Sequence, residues 1–509
     1  MTPAQRKLIL VVVDSLRSDM LLRTIEAGDA PTFKQLLDRG ELVPDCVSSF
    51  PSVTPVCTSE LTTGVRPDRH HIPGMNWYHR AEGRYVEYGS SFEATRAFGL
   101  FRSLYDTVYN LNMGHLHHEA LTCFERIGDA GFRTACTPFL IYRGRTRHEV
   151  GLEGLLKAFA SAAKFHHAVW GPDELFYGEL YSSRKVNCKP TLARPATRDA
   201  YSACVSRDLV EHDLYDFLLF SLPDNDYYSH RDGPEEQPFS IALADDAMKE
   251  LVDAHGGIDP FLEQNAVVVV ADHAQSHVTE PLDLAAALAD RWDVLQPNDE
   301  VGPDTKLAVG PSGRGAAVWV LEDEGPKRDK RAARVRNHIG RRLADEVELI
   351  AWLADDGSEA CVRRGSCELR FKAGGDVSDR RGETWSLEGD PATLLGIDHD
   401  GRFLSADYPD ALARLWAALR NPNAGDVLLS LAPDWECVDW GRVTHIPGGS
   451  HGSLRAADSL GTLLTVGLEG KRPQREQWAI SDVAGLIDGH FGIGDAAADA
   501  ERTGAAATG

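Results

Sequence analysis

The stretch Leu8-Ile9-Leu10-Val11-Val12-Val13-Asp14 sets six apolar residues in a row and ends them with an acid. An unbroken apolar run, rather than an alternating one, is typical of a strand covered by helices on both faces. Residues 217–222 and 266–271 have the same character, and acids follow each of them closely. These three runs predict neighbouring strands at the centre of one buried sheet.

Further strands and helices alternate along the chain. Apolar runs at residues 316–321, 427–431 and 463–466 predict buried strands of the same kind. Helix-like stretches lie at residues 30–39, 118–130, 241–254, 282–289, 331–346 and 411–419. This alternation predicts an α/β fold with a doubly wound, mostly parallel sheet flanked by helices.

Two regions interrupt the alternation. Residues from about 83 to 207 are uneven and rich in Tyr, Arg and His, and they form an irregular insertion into the core. Residues 311–422 have the pattern of a strand, a basic helix and further strands, which predicts a small inserted α+β subdomain. We therefore predict a core of residues 1–310 and 423–493, the subdomain at 311–422, and a flexible tail at 494–509.

Composition excludes several classes of protein. The 509 residues are 43% apolar and 26% charged, as in an ordinary globular protein. A formal net charge of −24 opposes binding to nucleic acid polymers and to anionic membranes. No apolar run is long enough to span a bilayer. Nine scattered cysteines without a CxxC pair, and a start that lacks the features of a signal peptide, predict free buried thiols in a cytoplasmic protein.

Acids and histidines collect where the three central strands are predicted to end. Asp14 follows the first strand, Asp226 and His230 follow the second, and Asp272-His273 follow the third. In open α/β sheets the ligand site lies beyond the carboxyl ends of the strands. An aspartate can also serve simply as a turn residue. Three carboxylates gathered at one sheet edge, however, repel one another unless cations lie between them.

A further histidine, His451, lies in the glycine-rich segment Gly448-Gly449-Ser450-His451-Gly452. Three carboxylates and three imidazoles form a mixed ligand set that suits zinc, with manganese or iron as alternatives. Six protein ligands exceed what one catalytic zinc needs, and they suit two ions about 4 Å apart. The sequence therefore predicts a site for two divalent metal ions.

A hydroxyl group is predicted at the N-terminus of a further helix. Thr54 followed by Pro55 is typical of an N-cap and the first helical position, which predicts a helix over residues 55–62 that ends before Gly64. A helix N-terminus offers free N–H groups to an anion, although an ordinary capped helix is the alternative. Because a metal ion lowers the pKa of a hydroxyl group, Thr54 is a candidate nucleophile.

Taken together, these motifs resemble the type I phosphodiesterase/nucleotide pyrophosphatase family of the alkaline phosphatase superfamily. The matching segments occur in the family's order, at residues 11–17, 51–71, 226–234, 271–273 and 450–452. The resemblance implies an alkaline phosphatase-like fold and a metal-dependent phosphoester hydrolase, foremost a phosphodiesterase. Its expected partner is a small phosphorylated substrate rather than a nucleic acid polymer or a membrane.

The resemblance also implies roles for the candidate residues. Thr54 would attack phosphorus and form a phospho-threonine intermediate. Two zinc ions would be held by separate ligand sets, with manganese as an alternative metal. The first set is Asp226, His230 and His451, and the second is Asp14, Asp272, His273 and the Thr54 oxygen.

The sequence departs from the family at several points. Cys57 stands where nucleotide pyrophosphatases have an asparagine that contacts a phosphate oxygen, and a thiol is a weak donor. Phosphomonoesterase, phosphonate hydrolase or phosphoryl mutase activity is therefore an alternative, and a catalytically silent metal-bound binding protein is a second one. Asp224 competes with Asp226 as a ligand, but the spacing of Asp226 to His230 fits the family better.

Histidines outside these motifs receive other interpretations. His115, His117 and His118 lie near a predicted helix start, where a solvated helix end is favoured over a metal site. His277 follows His273 by four residues and would be a ligand only if a helix followed the strand. A position outside the ligand set is the favoured interpretation for His277.

Overall fold

The computed structural model describes residues 6–150, 167–177, 180–189, 197–470 and 473–494. Strands are numbered along the chain, and eight of those in the described residues form the main sheet. In order across the sheet they are β2 (Glu41–Val47), β25 (Leu460–Val466), β11 (Asn265–Val270), β1 (Lys7–Val13), β10 (Phe217–Leu222), β5 (Thr134–Cys136), β8 (Glu174–Tyr177) and β9 (Tyr181–Ser182).

The centre of this sheet is parallel, as predicted. Leu8 of β1 lies opposite Phe217 of β10 on one side and Ala266 of β11 on the other. Strands β5 and β8 continue the parallel arrangement, whereas β25, β2 and β9 are antiparallel to their neighbours. Because β1, β10 and β11 run in the same direction with matched registers, the residues that follow them emerge at one edge of the sheet.

Helices cover both faces of the main sheet. One face packs against α3 (Thr54–Thr63), α7 (Cys123–Asp129) and α16 (Asp482–His490). The other face packs against α1 (Ser18–Ala27), α2 (Pro31–Leu37), α8 (Arg198–Glu211), α10 (Gln237–Ala254) and α11 (Ile258–Gln264). Alternate residues of β1 enter the two apolar cores, which is why its sequence is apolar without interruption.

Within the described part of the chain, a second sheet contains ten strands and is mostly antiparallel. Its strands are β13 (Asp293–Val294), β14 (Thr305–Ser312), β15 (Gly315–Val320), β22 (Val427–Leu431), β16 (Val347–Leu353), β17 (Ala360–Arg364), β18 (Cys367–Ser378), β21 (Arg402–Leu404) and β20 (Ile397–His399), with β19 (Thr384–Gly389) beside β18. Helices α13 (Pro326–Arg342) and α14 (Ala411–Arg420) pack on its two faces.

The second sheet corrects one strand assignment. The run at 427–431 was expected in the core with the main sheet, but it forms β22 of the second sheet, antiparallel to β15, which contains most of the run at 316–321 predicted as the first strand of the subdomain. A central antiparallel strand covered on both faces is as continuously apolar as a parallel one, so the pattern does not separate them. The sheet also extends beyond both bounds predicted for the subdomain at residues 311–422, whose independence stays a prediction.

Smaller elements connect the two sheets. A three-stranded sheet joins β12 (Ser276–Leu282), β23 (Asp434–Cys437) and β24 (Gly448–Ser450). Two antiparallel two-stranded sheets are formed by β3 (Asn76–His79) with β4 (Arg84–Glu87), and by β6 (Thr146–His148) with β7 (Val169–Gly171). The remaining helices are α4 (Pro67–His70), α5 (Phe92–Phe98), α6 (Leu100–Tyr105), α9 (Asp224–Asp232), α12 (Leu284–Ala289), α15 (Ala456–Ser459), a π-helix (Asp106–His115) and 3₁₀ turns at Pro234–Glu236 and Pro391–Leu394.

The structure describes only part of the predicted insertion at 83–207 and of the predicted tail at 494–509. Residues 151–166, 178–179, 190–196 and 495–509 lie outside the described residues. The helix expected over 118–130 begins only at Cys123, and the π-helix ends, rather than begins, at His115. His115 is buried there, so the expectation of a solvated helix end is wrong for this residue.

Two further observations concern the cysteines and the membrane. Cys188 and Cys204 form a disulfide, which contradicts the expectation that all thiols are free; the described chain also contains seven free cysteines. The prediction of a cytoplasmic protein rested in part on that expectation. Across the described ranges, no helix combines the length and the apolar character that crossing a bilayer requires.

Candidate active site

The six predicted metal-ligand side chains meet at the carboxyl edge of the main sheet. Asp14 directly follows β1, and Asp272-His273 come two residues after the last residue of β11. Asp226 and His230 lie one helical turn apart on α9, which begins immediately after β10 and Pro223. The parallel registers of the three strands bring these side chains together.

One cluster gathers Asp14, Asp272 and His273, whose ligand atoms all lie within 4.8 Å of one another. His273 Nε2 lies 3.6 Å from Asp14 Oδ1 and 3.5 Å from Asp272 Oδ2. Thr54 Oγ1 lies 3.3 Å from the same nitrogen. Asp14 Oδ1 and Asp272 Oδ2 are buried and have no hydrogen-bond partner among the described residues. Buried carboxylate oxygens without donors indicate a position for a cation.

A second cluster shares His273 with the first and adds Asp226 and His451, again within 4.8 Å. His451 Nε2 is 3.9 Å from Asp226 Oδ1, and His230 Nε2 is 3.4 Å from Asp226 Oδ2. The rings of His273 and His451 stack at 3.8 Å. Gln275 donates a hydrogen bond to Asp226 and so holds this carboxylate in place.

The backbone selects the same tautomer for all three imidazoles. Each Nδ1 lies within hydrogen-bond distance of a carbonyl oxygen, which is an acceptor only, so each Nδ1 carries a proton. The carbonyl groups belong to Gly449 for His230 (2.8 Å), Ala274 for His273 (3.2 Å) and Ser52 for His451 (2.6 Å). In the neutral ring, each Nε2 then presents a lone pair to the carboxylates.

This arrangement fits divalent metal ions. Imidazole lone pairs that face carboxylate oxygens at 3.4–3.9 Å repel one another unless a proton or a metal cation lies between them. A hydrogen bond from Nδ1–H to a carbonyl group is also the usual support of a metal-bound histidine. The mixture of carboxylate and imidazole donors suits zinc and also admits manganese.

Burial and charge shift the pKa values of these groups in the metal-free protein. Burial, together with the charges of Asp272 and Asp226, raises the pKa of Asp14 well above its usual range. Burial would also raise the pKa of Asp226, but the neighbouring imidazoles, His230 first, outweigh it and hold that pKa well below the ordinary value. Burial and then the charge of His273 lower the pKa of His451. A metal ion bound here would therefore compete with a proton on Asp14 at a higher pH than at an ordinary aspartate.

Thr54 is the first residue of α3 rather than its N-cap, which is Val53. The N–H groups of Val56 and Cys57 both donate to Val53 O at 3.0 Å, and Pro55 has no N–H. Most of the N–H groups that were expected to be free at this helix N-terminus are therefore either absent or already hydrogen-bonded within the helix. The Thr54 hydroxyl instead donates toward His273 Nε2, beside the first cluster.

Cys57 has no role in the cavity. Its side chain is fully buried in the apolar core of the main sheet, and burial raises the pKa of its thiol well above the usual value. Asp224 is also accounted for, because it accepts hydrogen bonds from Arg198 Nε and from the Asp199 N–H. His277 is exposed on β12. The geometry thus brings Asp226, not Asp224 or His277, to the cluster.

Sequence analysis missed a carboxylate that supports the ligands. Glu436, which is 1% exposed, accepts hydrogen bonds from His445 Nδ1 at 2.6 Å and from Ser450 Oγ at 2.7 Å. The His445 ring stacks on His230 at 3.8 Å. Glu436 thereby fixes the segment that supplies both the Gly449 carbonyl group and His451. Neither Glu436 nor His445 belongs to a recognisable sequence motif. The one feature of the sequence that could have drawn attention to His445 is its position six residues before His451.

The clusters open into a cavity of about 390 Å³. Apolar side chains form part of its wall, namely Met75, Pro138, Phe139, Leu140 and Tyr177. Among the described residues that line it, Arg198 is the one side chain with a permanent positive charge. The cavity therefore combines acids and imidazoles at its floor with an apolar wall and a single cation.

Two solved structures share this fold. Phosphonoacetate hydrolase from Sinorhizobium meliloti 1021, in complex with phosphonoformate, is 15% identical with a TM-score of 0.52, and the match covers 96% of each chain. Human ectonucleotide pyrophosphatase/phosphodiesterase 5 is 12% identical with a TM-score of 0.55 and covers 96% of this chain and 95% of its own. No curated protein sequence matches the chain.

The sequence profile of the type I phosphodiesterase/nucleotide pyrophosphatase family matches residues 8–454. The match runs from β1, which precedes Asp14, to just beyond His451, and so contains every residue of the two clusters. The chain therefore belongs to the type I phosphodiesterase/nucleotide pyrophosphatase family, a family of hydrolases in the alkaline phosphatase superfamily.

Proposed function

We propose that the protein is a two-metal phosphodiesterase in which Thr54 carries the phosphoryl group during turnover. The observation that carries the proposal is the common tautomer of His230, His273 and His451, whose Nδ1 atoms all face carbonyl oxygens. In the neutral rings three Nε2 lone pairs are thereby aimed at three carboxylates, which is the arrangement in which histidines and aspartates bind metal ions together.

The proposed ligand sets follow the two clusters. Asp14, Asp272, His273 and the Thr54 oxygen would hold one ion, and Asp226, His230 and His451 would hold the other. Zinc is the proposed metal, and manganese is the alternative. Two divalent ions bound there would neutralise the phosphoryl oxygens and lower the pKa of the Thr54 hydroxyl group.

The protein's own residues then define the reaction. Thr54 Oγ loses its proton to solvent and attacks phosphorus, so that a P–Oγ bond forms while the bond from phosphorus to the leaving oxygen breaks. The leaving alcohol takes a proton from solvent. Water next attacks the phospho-threonine, the P–Oγ bond breaks, and Thr54 regains its proton. Gln275 and Glu436 keep the ligands of the second set in place throughout.

The cavity limits the substrate. A volume of about 390 Å³ admits a small ester, and the side chains of Phe139, Leu140 and Tyr177 offer an apolar surface to its organic part. The net charge of −24 opposes nucleic acid polymers. A small phosphodiester with one apolar or aromatic ester group fits these conditions.

One observation favours a second candidate. Arg198 lies at the cavity with its Nε bound to Asp224 and its side chain 44% exposed, so its remaining donors can face a second anionic group. A phosphonate that also carries a carboxylate, or a phosphomonoester, would profit from this charge. The same metal ligands and Thr54 would serve either substrate.

A substrate panel tests the proposal. Metal-depleted protein is reloaded with Zn²⁺ or Mn²⁺ and assayed with bis(4-nitrophenyl) phosphate, 4-nitrophenyl phosphate and phosphonoacetate. We expect the diester to be the best substrate, with activity restored by metal and lost in Thr54→Ala. The matched control is Thr58→Ala, because the Thr58 hydroxyl also lines the cavity but donates to the Thr54 carbonyl group. Metal-loaded protein that is inert toward all three compounds would instead indicate a binding protein.

A further inference from the structure

We propose that the protein binds an additional transition-metal ion at His79, Glu82 and His115, outside the active site. Two of them, His79 and His115, line a second cavity of about 740 Å³. Five imidazoles line this cavity: His71, His79, His115, His117 and His118. The proposal is independent of the reaction catalysed at the active site.

Three separate structural elements bring the ligands together. His79 ends β3, Glu82 lies in the turn that leads to β4, and His115 is the last residue of the π-helix. One ligand atom of each lies within 4.8 Å of the other two. His79 Nε2 is 3.8 Å from Glu82 Oε1, and the two imidazole ring centroids are 5.8 Å apart. Only small side-chain movements are needed to reach bonding distances around one ion.

The hydrogen bonds of these groups leave ligand atoms available to a metal ion. His115 Nδ1 lies 2.8 Å from the Tyr88 hydroxyl group, which fixes the ring and leaves Nε2 for the ion. Arg84 binds Glu82 Oε2 at 2.6 Å and leaves Oε1 for the ion. Two imidazoles and one carboxylate suit zinc, copper, nickel or iron(II), and the cavity has room for water ligands.

One hydrogen bond opposes occupancy. His79 Nδ1 accepts the N–H of Glu82 at 3.2 Å, which places the ring proton on Nε2. An ion at Nε2 requires that proton to move to Nδ1, so this hydrogen bond must break. Glu82 lies in an exposed turn, where water can take over its N–H. We therefore expect the additional ion to bind more weakly than the two at the active site.

Equilibrium dialysis against Zn²⁺, followed by metal analysis, tests the site. The full-length protein is compared with His79→Ala and Glu82→Gln, and with His118→Ala as a matched control. His118 lines the same cavity and is exposed, but it is not in the cluster. We expect both cluster variants to bind one equivalent fewer than wild-type protein and His118→Ala to bind the same number. Equal binding by all four proteins overturns the proposal. Because the readout is a difference, it holds whether or not the active site is loaded.

A fluorescence measurement locates the ion. The indole ring of Trp77 lies 5.1 Å from the His79 ring and 5.3 Å from the His115 ring, between centroids. We expect Cu²⁺ to quench part of the tryptophan emission in wild-type protein, and that part to be missing in Trp77→Phe and in His79→Ala. Quenching that is unchanged in both variants would contradict the assignment. Circular dichroism spectra that match wild-type protein verify that each variant is folded.

Discussion

The two cavities that gather imidazoles differ in how the backbone treats the Nδ1 atoms. In the active site, the backbone carbonyl groups accept from His230, His273 and His451, so the neutral form of each ring has its lone pair on Nε2. In the second cavity, a backbone N–H donates to His79 Nδ1 and directs the proton to Nε2. The imidazoles of the first site therefore already have the tautomer that would bind a metal ion, whereas His79 in the second must first move its ring proton from Nε2 to Nδ1.

The carboxylates of the two sites differ as well. Asp14 and Asp272 have buried oxygens without partners in the described structure, and a bound cation would satisfy them. Glu82 has a side chain that is 42% exposed and already pairs with Arg84. A buried, uncompensated carboxylate gains more from a cation than an exposed, paired one. Both differences predict that the active site binds metal more tightly.

The largest expected effect comes from removing the proposed nucleophile. Thr54→Ala should lower kcat for the best ester substrate on the order of 10⁴-fold, because the covalent step has no substitute. Zn²⁺ binding should persist, since the remaining carboxylates and imidazoles still hold both ions. Steady-state kinetics combined with metal analysis checks both statements. A variant that keeps more than a tenth of wild-type kcat would show that another group attacks phosphorus.

Removing the support of the ligands should have a smaller effect. Glu436→Gln keeps the shape of the side chain but weakens the acceptor for His445 and Ser450. We expect a loss of about 10–100-fold in Zn²⁺ affinity at one of the two ions, with a matching loss of activity at limiting metal. Excess Zn²⁺ should restore most of the activity.

Asp439→Asn is the matched control for Glu436→Gln. Asp439 lines the same cavity, and it accepts from Val443 N at 2.8 Å rather than from a segment that bears ligands. Zinc titrations of the two variants side by side check the prediction. Equal affinity in both would mean that Glu436 does not position the ligands.

Acid should weaken metal binding at the active site. Burial and the neighbouring carboxylates raise the pKa of Asp14, so a proton competes with the metal ion at a higher pH than for an ordinary aspartate. Affinity should therefore rise with pH until Asp14 is ionised, by up to about tenfold per pH unit for each proton released. Zn²⁺ titrations between about pH 5 and pH 8 measure this slope. Affinity that stays flat or falls as pH rises would contradict the assignment of Asp14 as a ligand.

The smallest expected effect concerns the second cavity. His79→Ala should change kcat/KM by no more than about twofold, because its ring contacts Trp77 and His115 rather than the active-site ligands. Kinetics at saturating active-site metal checks this. A large loss of activity would show that the two cavities are coupled, and it would contradict the independence of the second cavity from the active site.

The sequence predicted the centre of the fold because the evidence there is local. Each of β1, β10 and β11 is a continuous apolar run followed by acids, and parallel pairing places those ends together. The assignment of β22 failed because burial on both faces gives parallel and antiparallel strands the same composition. Which sheet a strand joins depends on long-range packing that a run of five residues does not contain.

That the candidate ligand residues lie together could be predicted for the same reason, but the residues that support them could not. Asp14, Asp272 and His273 lie just after the carboxyl ends of strands, where ligand sites are found in this fold class. Glu436 acts through hydrogen bonds to loop residues, and nothing in its sequence neighbourhood distinguishes it from a surface acid. Likewise, His115 lies close to His79 only because of the path that the π-helix takes. The disulfide was missed because spacing alone does not pair cysteines.

Anomalous diffraction at the zinc edge from crystals grown with Zn²⁺ tests the central claim most directly. We predict two strong peaks beside Thr54 Oγ. One ion would be bound by Asp14, Asp272 and His273, and the other by Asp226, His230 and His451. A single peak, no peak at this sheet edge, or zinc ions held by other side chains would contradict the two-metal active site.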